Sequence, residues 1–450
     1  MKKLFLFSLL SFMFLVSCET ESIDEVNFLE ESVDLNKNSS SHNSFLVIFK
    51  TNKLPTSIEK SIASANGSVT SIISEIGIIA VQSDDPDFEK NMAKLTEVRS
   101  VVPDLSVNWL EPIDYEPMTN PSSIGDDEWF FDSLWGMDAI DAPEAWNAGY
   151  QGDQATVFIL DSGIDPTHPD LAPNLNTELS ASFVPGEDWA VQPGFYFNHG
   201  THVAGTIAAA DNEFGVIGVA PMTEIVAVKV LSEYTGSGSF SGIIKGIMYA
   251  ANSGADVINM SLGATFYKNG KDAQELIHAT QRSIDYAYRN GVTIITSAGN
   301  LSMNADGNRS IIVVPADLNN VISVSATGPI DRHNNPDTYL DYPASYTNIG
   351  RSLVDIAAPG GDYRLYPNQF WWEDMVYSTI PGGWSWSAGT SMASPHVAGV
   401  AALIIGKNGG DMDPHEVEKQ LLKSADKIDT NGKSLFYGKG RLNAYRAVTE

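Results

Sequence analysis

A carboxylate, an imidazole, an amide and a hydroxyl stand in this chain where each could do chemistry. ATVFIL (155–160) is a near-continuous apolar run closed by Asp161 and Ser162-Gly163. Such a run suits a parallel strand buried on both faces, and groups at the carboxyl end of such strands meet ligands. Asn198-His199-Gly200-Thr201-His202 opens a helix, and the small residues at 200, 204 and 205 let it pack close to a sheet. Val292 to Ser297 reads as another buried strand, ending in Ala298-Gly299-Asn300. An amide at Asn300 could donate to a developing oxyanion. Gly389-Thr390-Ser391 opens a further helix, at whose start the free N–H groups and the dipole favour negative charge. Each residue alone has a plainer reading: Asp161 as a turn or cap, His199 as a packing residue, Ser391 as an N-cap. A metal pair at His199 and His202 is disfavoured, because the spacing is three and no acid follows as in HExxH. His396 has no metal-like neighbours. Position 393 is Ala, so Ser391 is not in a Gly-x-Ser-x-Gly elbow. The order Asp, His, Asn, Ser is one in which hydrolytic triads occur.

Those strands and helices need a large core to hold them. The chain has 450 residues, 43% of them apolar and 18% charged. At ~150 residues per domain that is a prior of about three domains, and it excludes a wholly disordered or fibrous chain. With 27 Lys and Arg against 56 Asp and Glu, the formal charge is −29. That argues against nucleic acid or an anionic membrane surface as the main partner. A single cysteine excludes an internal disulfide framework and a cysteine metal site.

The cysteine falls at a telling place. Lys2 and Lys3 precede an apolar run from Leu4 to Val16, too short to span a membrane as a helix and fitted to a secretory signal. The run ends Leu15-Val16-Ser17-Cys18. This resembles a bacterial lipobox, cut before the cysteine and lipidated on Cys18; the plainer reading is an ordinary signal with a chance cysteine. An acidic and polar tether (18–44) follows, usually just solvated chain. Residues 45–111 then read as a βαββαβ unit, the ferredoxin-like split βαβ arrangement. FLVIFK is the first strand, 55–66 and 85–96 are the helices, and 68–73, 76–82 and 98–102 are the other strands. Residues 112–129 hold three prolines near their start and read as a linker.

DSGIDPTHPDL (161–171), NHGTHVAGTIAA (198–209), VINMSLG (257–263), TSAGN (296–300), AAPGG (357–361) and GTSMASPHVAG (389–399) resemble the subtilisin-like serine proteases, or subtilases. YGKGRLNAYRAV (437–448) resembles their closing segment. The resemblance covers about 130–450, and the 45–111 unit resembles their inhibitory propeptide; an accessory binding domain is the alternative. The fold implied is α/β, a doubly wound and mostly parallel sheet with helices on both faces, behind the small ferredoxin-like domain.

The resemblance implies a role for each residue. Ser391 would be the nucleophile, His199 its base and then the acid for the leaving amine, and Asp161 the group that orients His199. His202 matches the family's second, structural histidine. Asn300 and the Ser391 N–H would form the oxyanion hole. Gly236, Ser237 and Gly238 would form one edge for an extended substrate and Ser261, Leu262 and Gly263 the other, although GSG alone reads as a flexible turn. Ser297, Ala298 and Gly299 would complete the wall of the pocket for the residue before the scissile bond, with Val313 near its base favouring small or medium apolar side chains. No cofactor is implied for catalysis. Structural Ca²⁺ is implied on Asp170, Asn212 and the carbonyls of Ala210, Phe214 and Val216, although the family's N-terminal ligand is not recognisable around Phe131–Ser133; an ordinary Asn/Gly loop is the alternative. The segment 362–387 departs from the pattern, and its tryptophans could line the cleft or fill the core.

The expected protein is thus an exported lipoprotein zymogen. Its partners are polypeptide substrates and its own propeptide. It touches membrane only through lipidated Cys18, binds no nucleic acid and is a monomer. Cutting between about 110 and 130 would release the enzyme from its anchor. A catalytically silent binding protein of the same fold and a narrow processing protease are the competing readings.

Overall fold

The computed structural model describes residues 43–110, 128–191, 198–307, 310–429 and 432–450. The signal, Cys18 and the tether up to residue 42 lie outside them, as does most of the expected linker; the tether's last residue, Ser44, instead begins the first strand. The exceptions are Glu128 and Trp129 at the linker's end, which are packed into the body; Glu128 is 1% exposed.

The first unit contains β1 (Ser44–Phe49), α1 (Ile58–Ser64), β2 (Ser68–Ile73), β3 (Ile78–Gln82), α2 (Phe88–Met92) and β4 (Val98–Pro103). The sheet order is β2-β3-β1-β4, with the β1–β3, β1–β4 and β2–β3 pairs antiparallel. Alternation decides the faces. Val47 and Phe49 meet Ile58, Ile62, Phe88 and Met92 of the helices, while Leu46 and Ile48 point the other way into the larger body. A short strand, β5 (Ser106–Asn108), leaves this sheet for that body.

The larger body opens with α3 (Trp135–Ala139) and α4 (Ala142–Asn147). It continues through β6 (Thr156–Asp161), β7 (Ala181–Ser182), α5 (His199–Ala208), β8 (Glu224–Lys229), β9 (Ser237–Ser239), α6 (Phe240–Asn252), β10 (Val257–Met260), β11 (Ala264–Tyr267) and α7 (Lys271–Arg289). Then come β12 (Thr293–Ser297), β13 (Ile311–Val314), β14 (Ile322–Gly328), β15 (Tyr342–Pro343), β16 (Ile356–Pro359), β17 (Val376–Ile380), β18 (Gly383–Ser387), α8 (Thr390–Lys407), α9 (Pro414–Ser424) and α10 (Ala444–Thr449). The central sheet runs β15-β14-β12-β10-β6-β8-β7, with β16 also on β14. Every pairing in it is parallel except β14–β15. This is the doubly wound α/β sheet expected.

Its two faces have separate cores. Val157, Ile159, Ala227 and Ile295 pack with α5 and α8 on one side, and Phe158, Leu160, Val228 and Ile294 with α6 and α7 on the other. α8 is buried on every side from Thr390 to Ile405, which is why it carries no polar stripe. The hairpin of β17 and β18 lies against α5: Ser378 and Thr379 donate to the His202 and Thr201 carbonyls. The aromatic segment is divided: its hairpin half packs into the core, while Tyr363 and Tyr366 are exposed. Trp386 is 1% exposed, and Trp384 packs on Phe130, Phe214 and His168.

Candidate active site

Asp161 ends β6 and His199 begins α5, and a glycine brings them together. A Cβ on Gly200 would stand 2.3 Å from the Gly163 carbonyl oxygen and 3.1 Å from Asp161 Oδ1. Without a side chain there, the first turn of α5 settles against the loop after β6. His199 Nδ1 then lies 2.9 Å from both carboxylate oxygens of Asp161. The Ser162 N–H also donates to Asp161 Oδ1, at 2.6 Å. Both residues are buried, and His199 Nε2 has no hydrogen-bond partner. An imidazole fixed at Nδ1 by a carboxylate, with Nε2 open, can accept a proton from a neighbouring hydroxyl.

Ser391 is the second residue of α8. Its Oγ donates to the Ser261 carbonyl at 3.1 Å, and the Ser261 hydroxyl donates to the Ser391 carbonyl at 2.8 Å. Pro395 explains the second bond. Proline has no N–H, so the carbonyl four residues earlier, that of Ser391, has no helical partner. Ser261 takes its place, and the nucleophile candidate is thereby tied to the edge that follows β10. In this resting arrangement Ser391 and His199 are not hydrogen-bonded; such bonds often form only once substrate is bound.

Asn300 follows β12 and faces the start of α8. Its Oδ1 accepts from the Thr390 N–H at 2.9 Å and the Thr390 hydroxyl at 2.7 Å. With the oxygen engaged, the amide N–H₂ is the end left for other acceptors.

The two expected substrate edges enclose a segment of the chain itself. β5 pairs antiparallel with β9, Val107 opposite Gly238 and Asn108 opposite Ser237. On the other side the Gly263 N–H donates to the Trp109 carbonyl at 3.0 Å. The Trp109 indole is 3% exposed, lies edge-on to Phe240 and Phe266, and donates from Nε1 to the Gly238 carbonyl at 2.8 Å. At ~25 cal/mol per Å² and roughly 150–200 Å² that burial is worth about 4 kcal/mol. Asp104 anchors the same segment by accepting the Ser241 N–H (3.0 Å) and hydroxyl at the start of α6. The pocket wall is close by: the Ser297 hydroxyl reaches the Leu262 carbonyl at 3.4 Å, and Ala298 packs with Val313. The open hollow of about 500 Å³ lined by Asp256, Arg289 and Asp413 lies instead at the amino ends of β10 and β12.

Two other histidines lie nearby. Burial holds His202 down to about 3, with His199 adding to the effect, and holds His396 down to about 4. Both stay uncharged at neutral pH. His202 Nε2 meets the Val376 carbonyl and His396 Nδ1 the Met392 carbonyl, so both serve packing.

The expected calcium loop wraps Asp170. Oδ2 of Asp170 accepts from the Val216 N–H (2.9 Å) and the Trp384 indole (2.8 Å), while Ala210 N–H bonds the Asp170 carbonyl. Asp170 Oδ1 and Asn212 Oδ1 are buried without a hydrogen-bond partner. Glu128, which sequence reasoning assigned to the linker, accepts the Asn212 N–H at 3.2 Å. Burial, then the Asp211 carboxylate, push Glu128 up to about 7, and burial pushes Asp170 up to about 6. Among the described residues no three His, Cys, Asp or Glu side chains gather as a metal cluster. The donors here are instead two carboxylates, an amide and the loop's main chain, a set that fits a hard cation. Phe214 packs on Trp129 and Trp384, which holds the loop in place.

Known proteins resemble this chain in sequence and in fold. The family model described as the Subtilase family matches residues 152–440. Subtilisin from Bacillus pumilus is 39% identical over 316 residues, 70% of this chain and 98% of that protein. A thermophilic serine proteinase from Bacillus sp. (strain AK1) is 33% identical over 386 residues, 84% of this chain and 82% of that one. The crystal structure of the epidermin leader peptide processing serine protease from Staphylococcus aureus superposes with a TM-score of 0.74. It covers 91% of this chain and 98% of its own at 23% identity, a likeness of fold.

Proposed function

This chain belongs to the subtilase family of serine-type endopeptidases, and we propose that it cleaves polypeptides through Ser391, His199 and Asp161 after cutting away its own N-terminal unit. The reading rests on one arrangement: His199 is held at Nδ1 by Asp161 with Nε2 open, beside a cleft already filled by an extended segment of the chain.

In the reaction Ser391 Oγ turns from the Ser261 carbonyl to His199 Nε2, gives up its proton there and attacks the carbonyl carbon of the substrate. The oxyanion that forms sits between the Asn300 amide and the Ser391 N–H, at the positive end of α8. His199 passes the proton to the leaving amine, and the peptide C–N bond breaks. Water then attacks the acyl-enzyme with His199 again as base, releasing the acid and restoring Ser391. Asp161 keeps the Nδ1–H tautomer and stabilises the imidazolium.

Substrate lies where residues 106–109 lie, as a strand between 236–238 and 261–263, a β-augmentation mode. Recognition is mostly of main chain, so tolerance for sequence is broad, with 297–299 walling the pocket nearest the scissile bond. The N-terminal unit is an inhibitor by the same contacts, which supports the propeptide reading over that of an accessory domain. Its cut falls between about 110 and 130. With Cys18 lipidated the zymogen would be anchored and the mature enzyme free. A serine-directed fluorophosphonate probe should label one residue, Ser391, on a soluble chain that has lost the N-terminal unit. Label elsewhere, or a processed chain that stays in the membrane fraction, would contradict the reading.

Calcium, when bound, would cross-link the loop 210–216 to Asp170 and Glu128; it takes no part in catalysis. Chelation should therefore lower the melting temperature by several degrees and added Ca²⁺ restore it, with kcat at low temperature unchanged. An unchanged melting temperature would remove the site.

A further inference from the structure

Asn300 stands in a turn, and turns alone hold a side chain loosely. The structure supplies a support for this one. Asn348, 1% exposed, lies in the loop between β15 and β16 and has no part in the expected site. Its Nδ2 donates to the Ala298 carbonyl at 2.9 Å. Its Oδ1 accepts the N–H groups of Leu301 at 3.0 Å and Met303 at 3.1 Å. Its own N–H donates to the Gly299 carbonyl at 2.8 Å. One asparagine thus makes four bonds to main chain on both sides of Asn300. Gly299 has φ +92°, and a Cβ there would stand 2.5 Å from Asn348 Nδ2, so the glycine is what lets the amide come this close. The two acceptor bonds from opposing N–H groups fix which way the amide points.

We propose that Asn348 is a positioning residue for the oxyanion hole, holding the 298–303 turn so that the Asn300 amide meets the developing charge. This rests on the reading of Asn300 as oxyanion donor. Thr390 fixes the rotation of the Asn300 amide, and Asn348 fixes the main chain that carries it. The carboxylic analogue separates the two halves of the job. Asn348→Asp keeps an acceptor for Leu301 and Met303 but sets a carboxylate oxygen against the Ala298 carbonyl. Asn348→Ala removes all three side-chain bonds and leaves buried main-chain groups without this partner.

The test is a double-mutant cycle on kcat, with active enzyme counted by fluorophosphonate titration and each variant matured by a trace of parent. Asn300→Ala should lower kcat by about 10²–10³. Asn348→Ala should lower it roughly tenfold to a hundredfold, and Asn348→Asp by a similar factor. In the Asn300→Ala background Asn348→Ala should lower kcat less than about twofold, because the group it positions is gone. A merely structural role would instead multiply the two losses, or leave kcat per active site unchanged while the melting temperature falls. Either outcome overturns the proposal. If Asn300→Ala itself leaves kcat unchanged, the oxyanion reading falls and this inference with it. If Asn348→Ala does not fold, the cycle run with Asn348→Asp decides.

Discussion

Ser391→Ala should lower kcat by about 10⁶-fold, a size carried over from the triad of subtilisin itself, a member of the same family. The substitution removes one oxygen. That oxygen makes one hydrogen bond, to the Ser261 carbonyl, and the Ser391 carbonyl keeps its bond from the Ser261 hydroxyl. The helix start, the Thr390–Asn300 clamp and the Asp161–His199 pair all remain. The melting temperature should therefore move by only a few degrees while covalent catalysis is lost. A residue of ~10³–10⁴ over uncatalysed hydrolysis should persist, because the Asn300 amide and the cleft still bind the transition state. Steady-state kinetics on a chromogenic peptide measure this once the variant has been matured by added parent and then freed of it. A loss of less than about 10³ would mean that another group is the nucleophile.

Asp161→Asn should cost about 10⁴ in kcat, with a smaller change in KM. The carboxylate now takes the His199 Nδ1–H on two oxygens and the Ser162 N–H on one. An amide has only one oxygen. If it serves Ser162, the N–H₂ faces Nδ1, and the imidazole must carry its hydrogen on Nε2, where Ser391 needs an acceptor. The geometry survives and the tautomer is wrong. Shape and packing are nearly unchanged, so the fold should remain and the loss should fall on the chemical step. Equal losses in kcat and stability, or a loss of only a few-fold, would show that Asp161 is a buried structural acid.

How much of this was legible in the chain follows from how local each signal is. Asp161 closes a strand, Asn300 follows one, and His199 and Ser391 stand in the first turn of a helix, so strand ends and helix starts could be read in place. The parallel sheet followed from runs such as ATVFIL and VTIIT, which carry no polar face. Glu128 was not legible as a neighbour of Asn212, because it follows a proline-rich stretch and only the chain's return past the 210–216 loop gives it a role. Asn348 carries no motif of its own, and its four bonds reach back more than forty residues. Trp109 read as the end of a small domain; its burial depends on Phe240 and Phe266, over a hundred residues on. The aromatic segment 362–387 stayed ambiguous for the same reason, since a tryptophan looks alike in a cleft and in a core.

The most direct measurement is the intact mass of the purified protein beside its Ser391→Ala variant. The account predicts that the parent divides between about 110 and 130, and that the variant stays whole until a trace of parent is added. If both stay whole, the triad is silent and the segment in the cleft is a permanent part of a binding protein. If both are cut alike, another protease matures the chain and the cut says nothing of Ser391.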